Sequence, residues 1–563
     1  MQLIQPIEQK LIIMKHNSKA FFLASLFYCI WVSTTAQNYP FSLPNKISVT
    51  MDVDSLAKES FKNQLLGYNV EYFKTEQEKD FIRKFNPVSI RFPHGLWANF
   101  YKWQTDGYQN DSYDNKQFES TIDVYAAKIK GHINEIAVLN KEKQEKYGRG
   151  YHMMWTYSMN FDDAESCVKR AEKDFLLGLE VKDIELGNEH FWKSQRSNQT
   201  ITELDFRNRA ISVANALHTR FPEVRVSIPL SWRRSHENYN KTIVADKNYY
   251  DAISLHKYMG GDPDIPGESN TAYSQLLTSR NVLDNDVKWI RSHAGNKPIW
   301  MTEWGVSANS NAEVNSAACL GMADVYLYMS ENQEIYDRAN WFIFNKSLNP
   351  MVLVNNRRPV YPLKKRGYLS VYEMLSEVFM DGEMLSSTLI STPLTSALNA
   401  VNARMVQKNG VKKIIAVNLA NKPADFKLTF NGEIFSKGFI HKALVFDELG
   451  PVANIDIDAD PTNLIKDGTG DVLLPPLSIS IITLKENAQL SVHEIEKQQV
   501  DVFPNPSESG VFYLHEKQAY KVYNATGRLV ASGFDSKIDL SSCSKGMYFL
   551  KIQSRITKIL IKI

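Results

Sequence analysis

The stretch Asp183-Ile-Glu-Leu-Gly-Asn-Glu189, followed by His190, Phe191 and Trp192, decides the fold. Val181, Ile184 and Leu186 give it an apolar, strand-like run that stops abruptly at Gly-Asn-Glu. Such a run reads as a buried strand whose C-terminal tip carries polar chemistry. Pro298-Ile-Trp-Met-Thr-Glu303-Trp-Gly305 has the same design. Working outward from these two, eight runs read as strands: 65–73, 88–92, 151–160, 182–189, 224–231, 250–258, 298–305 and 339–345. Amphipathic stretches lie between them. Residues 162–178 place Ala164, Cys167, Val168, Ala171, Phe175 and Leu176 at helical spacing. Residues 202–221 open with a Thr-x-x-Asp cap and carry Phe206, Ala210, Val213, Ala214 and Leu217. This alternation predicts an α/β fold, a (β/α)8 TIM barrel with its site on the strand tips. A doubly wound open sheet is the alternative, but no Gly-rich phosphate loop accompanies it.

After a last helix near 367–380 the texture changes. Short alternating runs at 400–407, 412–419, 425–430, 439–446 and 472–484 alternate with turn residues, and Asn409-Gly410 and Asn431-Gly432 are hairpin signals. They predict an accessory all-β sandwich over 386–486. The segment 37–64, with its alternating I-S-V-T-M-D-V, could lend that sandwich a strand or start the barrel. The barrel itself is placed at 65–385, a polar linker at 487–500, and a small C-terminal β-sandwich at 501–563.

With 563 residues the chain is long enough for two to four domains. A formal net charge of +2 argues against a nucleic-acid partner held by bulk electrostatics, while leaving room for a local basic site that meets an anionic sugar. Lys15, His16 and Lys19 precede an apolar run and the small residues Ser33-Thr-Thr-Ala36, the order of a secretory signal peptide over 1–36. Met14 is an alternative start. Cys29 falls in the leader, and Cys167, Cys319 and Cys543 are dispersed without metal-ligand spacing. No cofactor and no metal are expected. Asp456, Asp458, Asp460 and the Asp467–Asp471 loop lack the full spacing of a calcium loop and read as an acidic turn. There is no stable membrane span and no G-x-S-x-G elbow for a serine nucleophile.

Two strand tips, each with one carboxylate, are what a double-displacement glycosidase requires. Two resemblances sharpen that reading. The C-terminal residues resemble the type IX secretion sorting domain, through V-F-P-N-P at 502–506, V-Y-N-A-T-G-R at 522–528, L-S-S-C-S-K-G-M-Y-F-L-K-I at 540–552 and the basic, apolar tail. This implies handling by the type IX secretion machinery and a secreted or cell-surface location, reached through periplasm and outer membrane.

Residues 46–485 resemble clan A glycoside hydrolases and, within them, the arabinofuranosidase-like group of family 51. The resemblance rests on L-G-Y-N-V-E-Y-F at 66–73, I-R-F-P-H-G-L-W-A-N-F-Y-K-W at 90–103, E-L-G-N-E at 185–189, H-K-Y at 256–258 and T-E-W-G at 302–305. The clan's acid/base glutamate follows an Asn on strand four and its nucleophile sits on strand seven, which implies Glu189 and Glu303. Two departures lie near the sugar: His94-Gly95 stands for the family's Gly-Gly, and Gly305 follows Glu-Trp where Asn is usual.

Glu189 then needs a raised pKa, from the second carboxylate and partial burial beside Phe191 or Trp192, whereas Glu303 must be ionised. Asn188 would bond the sugar's 2-hydroxyl, or else cap the next helix. His256 and Tyr258 alternate on strand six and can both face the site, or sit in the core. Arg91 pairs with Glu303 or forms a structural pair inside the barrel. Trp304 is a candidate floor, and Trp341 is a candidate stacking platform, although Trp is often plain core. Asn69, Glu71, Trp97, Asn99, Trp155 and Asn160 fall at other tips or loops. The expectation is a secreted retaining glycoside hydrolase acting on plant or algal polysaccharide or its oligosaccharides, arabinofuranosidase-like. The alternatives are an endo-acting glycanase (agarase, porphyranase or xylanase type) and, in another class, an inactive surface glycan-binding protein.

Overall fold

The computed structural model describes residues 39–70, 76–108, 131–197, 200–260, 270–306, 314–342, 350–355, 358–485, 502–524, 528–552 and 555–563. The predicted leader and linker, and Glu71, lie outside the described residues. Eight parallel strands close into a barrel: β1 Gly67–Asn69, β2 Ser89–Phe92, β3 His152–Tyr157, β4 Asp183–Leu186, β5 Arg225–Leu230, β6 Ala252–Met259, β7 Ile299–Val306 and β8 Tyr336–Trp341. Each overlaps one of the eight predicted runs, and β8 starts three residues ahead of the predicted 339–345. β8 pairs with β1 through Asn340 and Trp341, which closes the ring.

Alternation along each strand sorts its side chains. Ile184 and Leu186, Ile253 and Leu255, and Met301 and Trp304 face the surrounding helices and join the main core. The interior is filled rather than open. Met154, Ala252 and Trp300, from strands that are not all neighbours, meet across it. Arg225 and Arg338 lie over the Trp300 ring at 5.1 Å each, and both pair with Asp183. This lower plug leaves the polar residues of the strand tips as the accessible face.

The helix Glu203–Arg220 starts with the predicted cap: Thr202 accepts from the Asp205 N–H at 3.1 Å, and Asp205 accepts from the Thr202 N–H. In Ala164–Leu176, however, Phe175 and Leu176 are exposed. The buried face runs through Cys167, Arg170, Ala171 and Asp174 instead. Arg170 is buried because it stacks on Tyr157 at 4.1 Å and pairs with Asp174 at 3.6 Å.

Beyond the barrel, ten strands form one hydrogen-bonded sheet. The N-terminal strand Ile47–Ser60 lies inside it, antiparallel to Glu383–Ser391 and parallel to Ala424–Phe430. Both Asn-Gly turns adopt positive φ at both positions, 51° and 80° at Asn409-Gly410 and 50° and 84° at Asn431-Gly432. That geometry matches the twist of a two-residue hairpin. The sheet has two apolar faces. Ile414, Ala416 and Ile482 line its own core. Ile415, Val417, Ile479 and Ile481 join the barrel's core against helices Ser316–Glu331 and Gly367–Phe379. The acidic turn is paired with lysines: Asp456 with Lys364, Asp458 with Lys84 and Asp467 with Lys485. A five-stranded sheet built from residues 502–562 has a separate core that includes Phe512, Val522, Ile538 and Leu550.

Candidate active site

The site is organised by one buried guanidinium. Arg91, on β2, is fully buried, and its donors are spent on four acceptors. Nη1 donates to Asn69 at 2.9 Å and to Glu303 Oε2 at 3.2 Å, Nη2 to Asn188 Oδ1 at 2.8 Å, and Nε to Glu185 Oε2 at 2.9 Å. Both readings of Arg91 are therefore realised together, an interior pair with Glu185 and a contact with Glu303. Glu185 also accepts from Thr156 and Thr302 at 3.2 and 3.0 Å. His256 Nε2 lies 3.0 Å from Thr302 Oγ1 and 3.3 Å from Glu185 Oε1. Its Nδ1 lies 3.2 Å from Glu189 Oε1 and 3.6 Å from Glu303 Oε2. Tyr258 donates to Glu303 Oε1 at 2.6 Å.

Two local irregularities aim the carboxylates. On β7 the pairing register shifts between Trp300 and Glu303 relative to β6, and between Met301 and Trp304 relative to β8. Such a bulge breaks the alternation, so Thr302 and Glu303, although consecutive, both reach the site while Trp304 faces out. After β4 the chain turns through Gly187 at φ 75°, and Glu189 itself holds φ 48°. A non-glycine residue in the left-handed region is strained, and the surrounding bonds hold it there. Asn99 clamps Asn188 by accepting from its N–H at 2.9 Å and donating to its carbonyl at 2.8 Å. Gln195 donates to Glu189 Oε2 at 3.3 Å. One oxygen of Glu189, one of Glu303 and a nitrogen of His256 lie within 4.8 Å of one another.

The electrostatics follow from burial and charge together. Burial opposes ionisation of Glu185, yet the Arg91 charge and the His256 hydrogen bond outweigh it and hold the carboxyl at about 2. Burial likewise disfavours the charged form of His256. Glu303, with hydrogen bonds to Glu185 and Glu189, reverses that and pushes the imidazole up to about 10. Burial raises Glu303 and is reinforced by the Glu189 charge; His256, Arg91 and the Tyr258 hydrogen bond pull the other way, and the net direction is upward. Burial and the Glu303 charge keep the Tyr258 hydroxyl well above its ordinary value. With His256 cationic and Arg91 against Glu303, the carboxylate oxygens already face positive charge, which opposes a metal ion there.

Glu189, Glu303, Asn188, His256, Tyr258 and Arg91 thus converge. Asn188 caps no helix; its amide is turned by Arg91 and by Gln195, 3.3 Å away. Trp341 and Trp304 are corrections. Both are fully buried and face the helices, Trp304 packed edge-on against Trp341 at 4.8 Å and Tyr326 at 4.8 Å, with Trp341 against Tyr368 at 5.1 Å. Neither is a platform or a floor, because each occupies an outward position of its strand. The aromatic at the site is the next residue, Phe342, half-buried and 6.0 Å from Tyr258 and 5.9 Å from His94. A Cβ on Gly95 would meet the Phe342 ring at 3.2 Å and Glu303 Oε2 at 3.7 Å, so Gly95 sits close to both the ring and the carboxylate. Trp155 is core as well, its Nε1 donating to the Glu180 carbonyl at 2.7 Å. Trp97 packs on Tyr108 at 5.2 Å. The carboxyl of Glu189 contacts His256 and Gln195, while Phe191 and Trp192 pack on His236. Glu185, Thr156, Thr302, Gln195 and Phe342 were not singled out from sequence. Alternation through Glu185 within E-L-G-N-E was the available signal for the first.

Comparison with solved structures places the fold. An arabinofuranosidase of glycoside hydrolase family 51 from Xanthomonas axonopodis pv. citri is similar at TM-score 0.58 and 14% identity, covering 78% of this chain and 100% of that one. A family 51 alpha-L-arabinofuranosidase from Bifidobacterium longum is similar at 0.60 and 12%, covering 79% and 100%. A xyloglucanase of glycoside hydrolase family 44 from Paenibacillus polymyxa is similar at 0.50 and 11%, covering 78% and 99%. At these identities the likeness establishes the barrel with its accessory β-sheet. Residues 501–563 match the secretion system C-terminal sorting domain, which marks the chain for export to the cell surface or medium. No curated protein sequence matches significantly. No helix among the described residues is long and apolar enough to cross a membrane.

Proposed function

We propose that this chain is a secreted retaining glycoside hydrolase that acts on plant or algal polysaccharide, or its oligosaccharides, by double displacement. The observation that carries the reading is the approach of Glu189 and Glu303, from the tips of β4 and β7, with facing oxygens within 4.8 Å. Retaining enzymes hold their two carboxyl groups about 5–5.5 Å apart, whereas inverting ones leave about 6.5–9.5 Å for a water. Glu303 attacks the anomeric carbon while Glu189 protonates the departing oxygen. Water activated by Glu189 then releases the sugar and returns Glu303 as a carboxylate. Arg91, His256 and Tyr258 all favour the ionised form of Glu303. Placing the proton on Glu189 also removes one of the charges that raise Glu303, so the two roles reinforce each other. Asn188, its amide fixed by Arg91, is the group for the 2-hydroxyl.

An arabinofuranosidase-like specificity is supported by the family 51 neighbours. An endo-acting glycanase is the second reading, favoured by an aromatic-lined recess that continues from the loop after Glu189 and gives room for further sugar units. The test is a product screen on plant and algal polysaccharides and aryl glycosides with the wild type, Glu189→Ala and Glu303→Ala. NMR of the first product anomer accompanies it. Product with retained configuration is expected from the wild type on its glycan, none from Glu303→Ala on any substrate, and from Glu189→Ala only on aryl glycosides with good leaving groups. Inverted product sinks the double displacement, and glycan binding without any product favours the binding-protein reading.

A further inference from the structure

Immediately beside Glu189, Phe191, Trp192 and Lys193 of the loop after β4 face Ser235, His236 and Tyr239 of the segment after β5. Between them lies a recess of about 570 Å³, within the range that accommodates a small ligand. A tight turn joins it to the carboxylate pair: the Trp192 N–H donates to the Glu189 carbonyl at 2.8 Å. The walls are the flat rings of Phe191, Trp192 and Tyr239, and Trp192 stands edge-on to His236 at 4.5 Å.

The charges around this recess do not balance. Its acid, Glu203, is engaged by Arg196 at 2.9 Å and also feels the more distant Lys193 charge. Neighbouring Arg234 pairs with Asp286 at 3.4 Å. Arg233 is exposed and lies against Trp192 at 5.1 Å and Trp232 at 5.0 Å. Among the described residues neither Arg233 nor Lys193, which lines the recess, has a carboxylate at ion-pair distance. The field of Arg233 is felt nearby: burial first, then Arg233 and Arg196, lower the His236 pKa. A guanidinium braced between two indoles keeps its fork free for an anion.

We propose that this recess is the leaving-group-side subsite of the cleft and that it takes an anionic sugar, a carboxylate- or sulfate-bearing ring laid on Trp192. Arg233 and Lys193 meet the charge. This deepens, and rests on, the glycosidase reading, since the group next to the acid Glu189 is the one that departs. With a net charge of only +2 the molecule does not attract polyanions as a whole, so selectivity has to come from local cations of this kind.

The test separates binding from turnover. Full-length Glu303→Gln is run in affinity gels containing matched polymers: polygalacturonate against its methyl ester, and a sulfated galactan against its desulfated form. The acidic member of at least one pair retards the protein and its neutral partner does not, and the pair that responds identifies carboxylate or sulfate. Arg233→Gln and Lys193→Gln each weaken that binding roughly fivefold, while Arg234→Gln, whose partner is Asp286, leaves it unchanged. Equal retardation by acidic and neutral polymers, or an Arg233→Gln protein that binds as before, overturns the subsite. Absence of product from the wild type on every substrate would instead sink the glycosidase reading, whatever the gels show.

Discussion

Glu185 is fully buried beneath the facing carboxylates and holds both Arg91 and His256, so its charge sets the state of the two cations of the site. Glu185→Gln leaves the shape and removes one of the anions that raise His256. The imidazole pKa then falls from about 10 toward its ordinary value, which the pH dependence of the His256 ring NMR signals reads. Glu185→Asp keeps the charge and retains part of the elevation, which a purely structural role would not produce. Breaking the buried pair also costs about 3–5 kcal/mol of stability, read by denaturant unfolding. The wild type carries the same linkage. A histidine whose folded pKa lies above its unfolded value contributes stability that is complete below pH about 6.5 and lost as pH rises through about 10. The melting temperature is therefore expected to decline on the alkaline side of neutrality, and less so in His256→Gln. At the acid/base position, Glu189→Ala should lower turnover of glycans by about 10²–10⁴. On aryl glycosides whose phenolate leaves without a proton it should spare kcat/KM, while kcat falls because the water that releases the sugar has lost its base. Equal losses of kcat/KM on both substrates would remove Glu189 from the acid role.

The strands carry the lesson on what the sequence makes legible. All eight barrel strands, the capped helix at Thr202 and both Asn-Gly hairpins are written in local periodicity and turn chemistry, which act over a few residues. Convergence of Arg91, Asn188, His256 and Tyr258 on the carboxylates is legible too, because inward alternation and tip position suffice. Orientation at β7 and β8 is not. A bulge is set by pairing with both neighbours, so nothing local announces that Thr302 and Glu303 both reach the site. The same limit moved the aromatic by one residue, from Phe342 to Trp341, since a residue beside the strand end faces either way until β7 and the following helices are placed. Paired substitutions check this. Phe342→Ala should raise KM about tenfold through loss of a ring beside Tyr258, with little change in melting temperature. Trp341→Phe should leave KM unchanged and cost about 2 kcal/mol from a cavity against Trp304 and Tyr368.

At the scale of the molecule, the barrel and the ten-stranded sheet share one core, whereas the C-terminal sheet has its own. Ile415, Val417, Ile479 and Ile481 are buried with barrel residues, and each is worth about 1.5–3 kcal/mol. Their sum is comparable to the roughly 5–15 kcal/mol that separates folded from unfolded protein. Polar links reinforce the joint. Arg280 bridges Asp324 and Glu331, and Arg404 of the sheet reaches Glu331 at 2.8 Å. Glu377 of the last barrel helix holds Lys413 and Lys442 at 3.0 and 2.7 Å. The N-terminal strand Ile47–Ser60 sits inside the sheet between strands from 383–391 and 424–430 and fills the sheet's own core with Ile47, Val49, Met51 and Val53. A chain ending at residue 386 should therefore fail to fold because it cuts through the shared core, and one starting at residue 61 should fail because it removes a central strand of the sheet that completes that core. A chain of residues 37–486 loses only a sheet whose core contains no residue of the other two, and should keep the melting temperature and kcat of the longer protein. Circular dichroism melts and turnover of the three truncations decide it. A stable barrel without the sheet would mean that the shared aliphatic face is dispensable, and a destabilised 37–486 would mean that the C-terminal sheet braces the enzyme as well as addressing it for export.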